Sequence, residues 1–161
     1  MVALDGVGLL KKKVELLVLV VILAGAGGLA AQEAQHALER DFLIITARAT
    51  SVTTLTPFQL QRIYLGRLDR LEGQTVRPLH LKAAHPARGS FDSALFGPDF
   101  NLDNYWLTQK LKAGARPPFT LGSQALMLAF IERNPGFVGY VQKSFARNLD
   151  KFKVKVISIK P

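Results

Sequence analysis

Asn134-Pro135-Gly136-Phe137-Val138-Gly139-Tyr140-Val141 decides how this chain is read. Proline lacks the N–H that a continuing helix needs, and glycine adopts the backbone conformations that follow a helix end, so Asn134-Pro135-Gly136 breaks a helix. The apolar, β-branched and aromatic run that follows, Phe137–Val141, predicts a strand. Just upstream, Ser123 can cap a helix over 124–133 whose core face is Leu126, Met127, Ala129 and Phe130. Phe119-Thr120-Leu121 adds a short strand before that helix. Downstream, 142–150 reads as helix and Val154–Ile159 as the last strand. Strands and helices therefore alternate, the pattern of βαβ units.

The same alternation extends toward the N-terminus. Phe42–Thr46 is a short apolar run of buried-strand type, and 47–56, rich in Thr and Ser, is a loop. Thr56-Pro57 marks a helix start, with Thr as cap and Pro in the first turn, where its missing N–H costs nothing. Phe58, Leu60, Ile63, Tyr64 and Leu65 give that helix its apolar face, and Gly66 ends it. Beyond a turn at Leu71-Glu72-Gly73-Gln74, Val76–Leu81 alternates as a strand in which Pro78 favours an edge or a strand end. Lys82–Ala87 connects it to a helix over 88–96 with Phe91, Ala94 and Leu95 inward. A further helix, 102–112, begins at Asn101 or Asp103 and buries Trp106 and Leu107 before Gly114 and Pro117-Pro118 stop it. The expected fold is α/β, one lobe with a mixed or mostly parallel sheet flanked by helices.

The first thirty residues differ in kind. A basic cluster, Lys11-Lys12-Lys13, precedes an apolar stretch and a small-residue exit at Gly28-Leu29-Ala30-Ala31, the zone order of an export signal. From Leu16 to Ala31 the apolar run has 16 residues, short of the roughly 20 that span a bilayer core. We therefore divide the chain into a signal peptide at 1–30, a flexible leader at 31–41 and an α/β domain at 42–161, with periplasmic localisation. The alternative is an uncleaved N-terminal membrane anchor.

The 161-residue chain carries a formal charge of +9, and removal of 1–30 leaves +8. The cations are scattered, without the runs that track a nucleic-acid backbone, so small anions are the expected partners and nucleic acid is not. Cysteine is absent, which excludes disulfides and thiolate metal sites. His36, His80 and His85 lack metal-ligand spacing, and neither a nucleophile elbow nor a phosphate-binding P-loop occurs. No cofactor, metal or enzymatic activity is expected.

Three ordered segments resemble the phosphate ABC-transporter substrate-binding family and its short, single-domain periplasmic-binding-protein-like relatives. They are Leu55-Thr56-Pro57 through Ile63-Tyr64-Leu65-Gly66-Arg67; Arg88-Gly89-Ser90-Phe91 with Tyr105-Trp106 and Gly114-Ala115-Arg116-Pro117-Pro118; and Asn134 through Val141. The resemblance covers roughly 42–159 and implies a periplasmic protein that binds phosphate or a related oxyanion, associated with ABC-type transport, with a membrane transporter or another envelope protein as partner. In the family a Ser-Gly-Thr triplet holds the anion at a helix start; here His85-Pro86-Ala87 stands in its place, so the anion loop is degenerate. The oxyanion contacts that remain are Arg88, Lys82, Ser90 and Gly89, with Thr50 and Ser51 supplying hydroxyls from the loop after the first strand. The competing reading is a ligand-free envelope interaction module that keeps the fold as a scaffold.

Overall fold

Thr56 and Pro57 do start a helix, because the two reciprocal bonds of a capping box satisfy its first turn. Thr56 Oγ1 accepts from the Gln59 N–H at 3.0 Å while the Thr56 N–H donates to Gln59 Oε1 at 2.9 Å. The computed structural model describes residues 36–113 and 115–160, all within one unit, Ala34–Pro161. The stretch expected to be an export signal, 1–30, and the first residues of the expected leader lie outside these. Among the described residues no helix is long and apolar enough to cross a membrane.

The elements run α1 (residues 36–41), β1 (Phe42–Ala47), β2 (Thr54–Leu55), α2 (Pro57–Tyr64), β3 (Arg70–Leu71), β4 (Gln74–Thr75), β5 (Arg77–Leu81), α3 (Pro86–Phe96), α4 (Leu102–Ala113), β6 (Phe119–Leu121), α5 (Gln124–Arg133), β7 (Phe137–Gln142), a 3-10 helix (Lys143–Lys151) and β8 (Val154–Ile159). Six strands form one sheet in the order β2-β8-β1-β7-β5-β6. β1 pairs antiparallel with β7 and β8, while β5 with β7, β5 with β6 and β2 with β8 pair parallel. β1 therefore runs against the other five strands, and the sheet is mixed and mostly parallel, as expected. Pro78 sits at the second position of β5, a strand that is interior to the sheet, so the strand end and not an edge accommodates it.

Several expectations need correction. Residues 36–41, assigned to a flexible leader, are helical, and Leu38 is buried in the core. The loop at 47–56 contains β2, which adds to the edge of β8. The turn expected at 71–74 is present, as a two-residue hairpin in which Glu72 (φ 50°) and Gly73 (φ 77°) both have positive φ, the conformation that matches the twist of tight hairpins. The helix expected at 142–150 is a 3-10 helix over Lys143–Lys151, and Gln142 ends β7 and caps it.

Phe58, Leu107 and Leu126, each assigned to a core face, are 65%, 58% and 54% exposed. At 100° per residue, Phe58 lies on the side of α2 away from Leu60, and Arg62 one turn later covers its ring at 5.8 Å. Leu107 and Leu126 each stand one position off a buried neighbour, Trp106 and Met127, and so rotate toward solvent.

Gly66 has φ 66°, and a Cβ there would meet the Trp106 ring at 2.6 Å, so glycine ends α2 and also admits α4. Gly139, in the middle of β7, leaves room on the face of the sheet. α5 packs into that room: a Cβ would lie 2.6 Å from Met127 Sδ and 3.0 Å from Ile131 Cδ1. At the centre of the core Phe91 and Tyr140 stack with ring centroids 3.6 Å apart, flanked by Phe42, Tyr64 and His80.

Candidate functional site

α3 begins two residues earlier than its sequence indicated, and that shift changes the candidate anion loop. His85 is the N-cap and Pro86 the first helical residue. The His85 N–H donates to the Lys82 carbonyl at 2.9 Å, Pro86 has no N–H, the Ala87 N–H donates to His85 Nδ1 at 3.2 Å, and the Arg88 N–H donates to the His85 carbonyl at 2.9 Å. These four positions are where a helix N-terminus ordinarily offers free donors to an anion. Gly89 and Ser90, expected as contact residues, lie past these four positions, in the body of α3.

Arg88 is buried, only 6% exposed. Three of its five N–H groups have internal acceptors: Nε donates to Asp92 Oδ2 at 2.9 Å, Nη1 to the Leu81 carbonyl at 2.8 Å and Nη2 to Asp103 Oδ1 at 2.6 Å. The guanidinium thus ties the end of β5 to α3 and to the start of α4. Burial works to lower its pKa, but the bond and charge of Asp92, with those of Asp103, raise it on balance. It is a fixed cation between two carboxylates.

Asp92 carries the network inward. His80 Nε2 lies 2.9 Å from Asp92 Oδ1, and His80 Nδ1 lies 2.7 Å from the Tyr140 hydroxyl. The Leu81 N–H points at His80 Nδ1 at 3.1 Å, which makes Nδ1 the acceptor, leaves the proton on Nε2 and has Tyr140 donate to the ring. The Tyr64 hydroxyl donates to the Leu79 carbonyl at 2.8 Å. Burial pushes both phenols up, so they stay neutral.

Burial also lowers the His80 pKa, outweighing the opposing pull of Asp92. The unfolded chain, with His80 at its ordinary 6.5, then binds a proton that the folded chain resists. Stability should be full above that value and decline as the pH falls through and below it. Melting temperatures measured between pH 7.5 and 5.5, a window above the carboxylate range, should fall toward the acid end (~6.5 is the turning point). The slope should flatten in His80→Asn; a melting temperature that rises toward pH 5.5 would contradict the assignment.

The remaining expected contact residues do not converge. Ser90 is exposed and lines a groove of about 290 Å³ with Arg40, Asp41, Phe42, Gln142, Lys143 and Ser144. Lys82 is exposed beyond the carboxyl end of β5, where its N–H donates to the Leu121 carbonyl. Gly89 and Arg88 line a second cleft of about 230 Å³ with Asp92 and Asp103.

Thr50 and Ser51 lie elsewhere. Because β1 runs against β5 and β7, its carboxyl end sits at the amino edge of those strands, with Thr46 opposite Val138. Thr50 is buried there, its hydroxyl accepting from Thr46 Oγ1 at 3.2 Å and its carbonyl from Lys155 Nζ. The Ser51 N–H donates to Gln74 Oε1 at 3.1 Å. The two halves of the expected site are at opposite ends of the sheet.

Sequence reasoning missed the network of His80, Asp92, Asp103 and Tyr140. Asp92, four residues after Arg88, was the one visible signal.

No family profile and no curated protein matches the chain. Solved structures do. An ABC-type phosphate transport receptor from Vibrio cholerae superposes with a TM-score of 0.53 at 22% identity, over 74% of this chain and 46% of that one. PstS from Borrelia burgdorferi gives 0.58 at 16%, over 74% and 47%. A substrate-binding protein from Clostridium perfringens with bound phosphate gives 0.53 at 15%, over 74% and 44%. The chain spans about half the length of these structures, and its sheet and helices have the fold of one of their lobes.

Proposed function

We propose that the chain is an exported, phosphate-type substrate-binding-protein lobe that works in the bacterial envelope by docking to a membrane transporter or another envelope protein. It does not act by enclosing an anion in the loop before α3. One observation carries this reading: the first-turn donors of α3 and three donors of Arg88 already have internal acceptors. A phosphate at that loop would find no free first-turn N–H group and would face the carboxylates of Asp92 and Asp103, which repel it. The likeness to phosphate-binding proteins supports the kind of lobe. Its small-anion function requires a cradle whose donors this chain has satisfied internally.

A second reading has one specific support. The groove that holds Ser90 is bordered by Lys143, Ser144 and Arg40, and the Gln142 cap of the 3-10 helix makes no side-chain cap bond. An oxyanion could meet two hydroxyls and a cation there.

Titration calorimetry with phosphate, sulfate and molybdate at low salt separates the two. The docking reading expects no heat and no thermal shift from any of the three. Micromolar phosphate binding that disappears in Lys143→Ala would overturn it and assign anion binding to the groove. Binding lost in Lys82→Ala but kept in Lys143→Ala would overturn it in favour of the α3 loop.

A further inference from the structure

The sheet ends at β6 on one side, beside a group of rings and exposed arginines. The Lys82 N–H donates to the Leu121 carbonyl at 2.9 Å, so Leu121 turns its backbone polar groups toward β5. Alternation along a strand then directs the N–H and C=O of Thr120, an exposed residue, away from the sheet. Beside this edge lies a row of rings. Phe119, 57% exposed, stacks on Phe130 of α5 at 5.5 Å, and Phe130 meets Phe137 of β7 edge-on at 5.1 Å. Leu126, also exposed, precedes Phe130 by one helical turn.

Arginines border the row. Arg77 lies over the Phe137 ring at 6.0 Å, Arg133 follows Phe130 by three residues on α5, and Arg116 precedes Phe119 by three. All three are exposed, and none forms an ion pair among the described residues. An open strand edge supplies main-chain bonding, an exposed aromatic supplies a contact for alternate side chains, and unpaired cations select the sign of the partner.

We propose that β6 is the docking edge, and that it takes an extended acidic segment of the partner protein as a seventh strand. Carboxylates of the incoming segment would meet Arg77, Arg116 and Arg133, and an apolar side chain would cover Phe119. This rests on the docking function proposed above and names its surface and the chemistry of its partner. A basic or neutral segment would gain the same main-chain bonds without the charge complementarity.

The probe is a fluorescent nine-residue peptide of alternating Glu and Val (about nine residues spans an ordinary strand with margin), titrated by anisotropy into the purified protein. A Lys/Val peptide serves as control. The Glu/Val peptide should bind, weaken as salt is raised, and lose about tenfold or more in affinity in the double variant Arg77→Glu/Arg116→Glu, with no comparable binding of the Lys/Val peptide. Thr120→Pro removes the outward N–H at a position where an edge strand tolerates proline, and should abolish binding with the melting transition retained. Phe119→Ser gives a second variant that leaves the backbone edge intact and should weaken binding.

Equal affinity for both peptides, or binding indifferent to Thr120→Pro and to the charge reversals, would overturn the proposal. A concentration-dependent dimer in sedimentation that Thr120→Pro dissolves would also overturn it, in favour of a second copy as the occupant. These outcomes are separate from the anion titration: micromolar phosphate binding defeats the docking function, whereas failure of the edge variants defeats only the choice of surface.

Discussion

Arg88→Met should lower the unfolding free energy by about 3–5 kcal/mol, the cost of removing one partner from a buried charge network. The side chain that replaces it fills similar space but donates nothing. Asp92, whose side chain is 16% exposed, would keep only its bond to His80, and the Leu81 carbonyl would lose the donor at the end of β5. The Asp103 end of the network behaves differently. Its carboxylate is 67% exposed, water can replace the guanidinium, and Asp103→Asn should cost no more than about 1 kcal/mol. Urea unfolding followed by Trp106 fluorescence distinguishes these: similar small losses for both variants would mean that Arg88 is not the clasp that its geometry describes. If Arg88 instead served a ligand, its replacement would spare stability and remove anion binding.

Phe91→Ala should be comparably severe, with a loss of about 3–5 kcal/mol typical of deleting a buried aromatic ring. Phe91 is fully buried, stacked on Tyr140 at 3.6 Å with the ring planes 1° apart, and touched edge-on or tilted by Phe42, Tyr64 and His80. Its contacts link α3 to β1, β5, β7 and α2. The cavity left by its removal would open beside the His80–Tyr140 bond, whose partners rely on exclusion of water for their geometry. Phe91→Leu refills part of the space and should recover a good share of the loss. A Phe91→Ala midpoint within about 1 kcal/mol of the parent in the same urea experiment would show that the cluster collapses to fill the hole.

The two experiments also explain why the resemblance to phosphate-binding proteins divides as it does. Arg88 and Phe91 belong to one quoted motif, and both serve the scaffold: one clasps three elements and the other fills the centre. Tyr105 and Trp106 do the same, with the Tyr105 hydroxyl donating to the Leu65 carbonyl at 2.9 Å and Trp106 Nε1 to the Tyr64 carbonyl at 3.1 Å. Asn134-Pro135-Gly136 hands α5 over to β7, and Gly139 lets α5 lie close against it. The matched residues therefore preserve a lobe. The position where the resemblance implies an anion loop is the one that this chain has closed with a histidine cap and a proline.

Local chemistry was legible in the chain itself. The caps at Thr56 and Ser123, the breaker at 134–136, the glycine stop at Gly66 and the alternation of strands with helices all act over four or five residues, so each could be read in place and together they gave the α/β lobe. The boundaries of α3, the helicity of 36–41 and the outward rotation of Phe58, Leu107 and Leu126 were less accessible, because one residue of phase changes which side of a helix faces the core. Long-range geometry was not accessible at all. The direction of β1 cannot be inferred from its six residues, five of them apolar, yet it sends Thr50 and Ser51 to the opposite end of the sheet from α3. Nor could the chain announce that Asp103, fifteen residues after Arg88, would meet it from another helix. Direction and partnership depend on contacts between distant residues, and packing alone chooses among them.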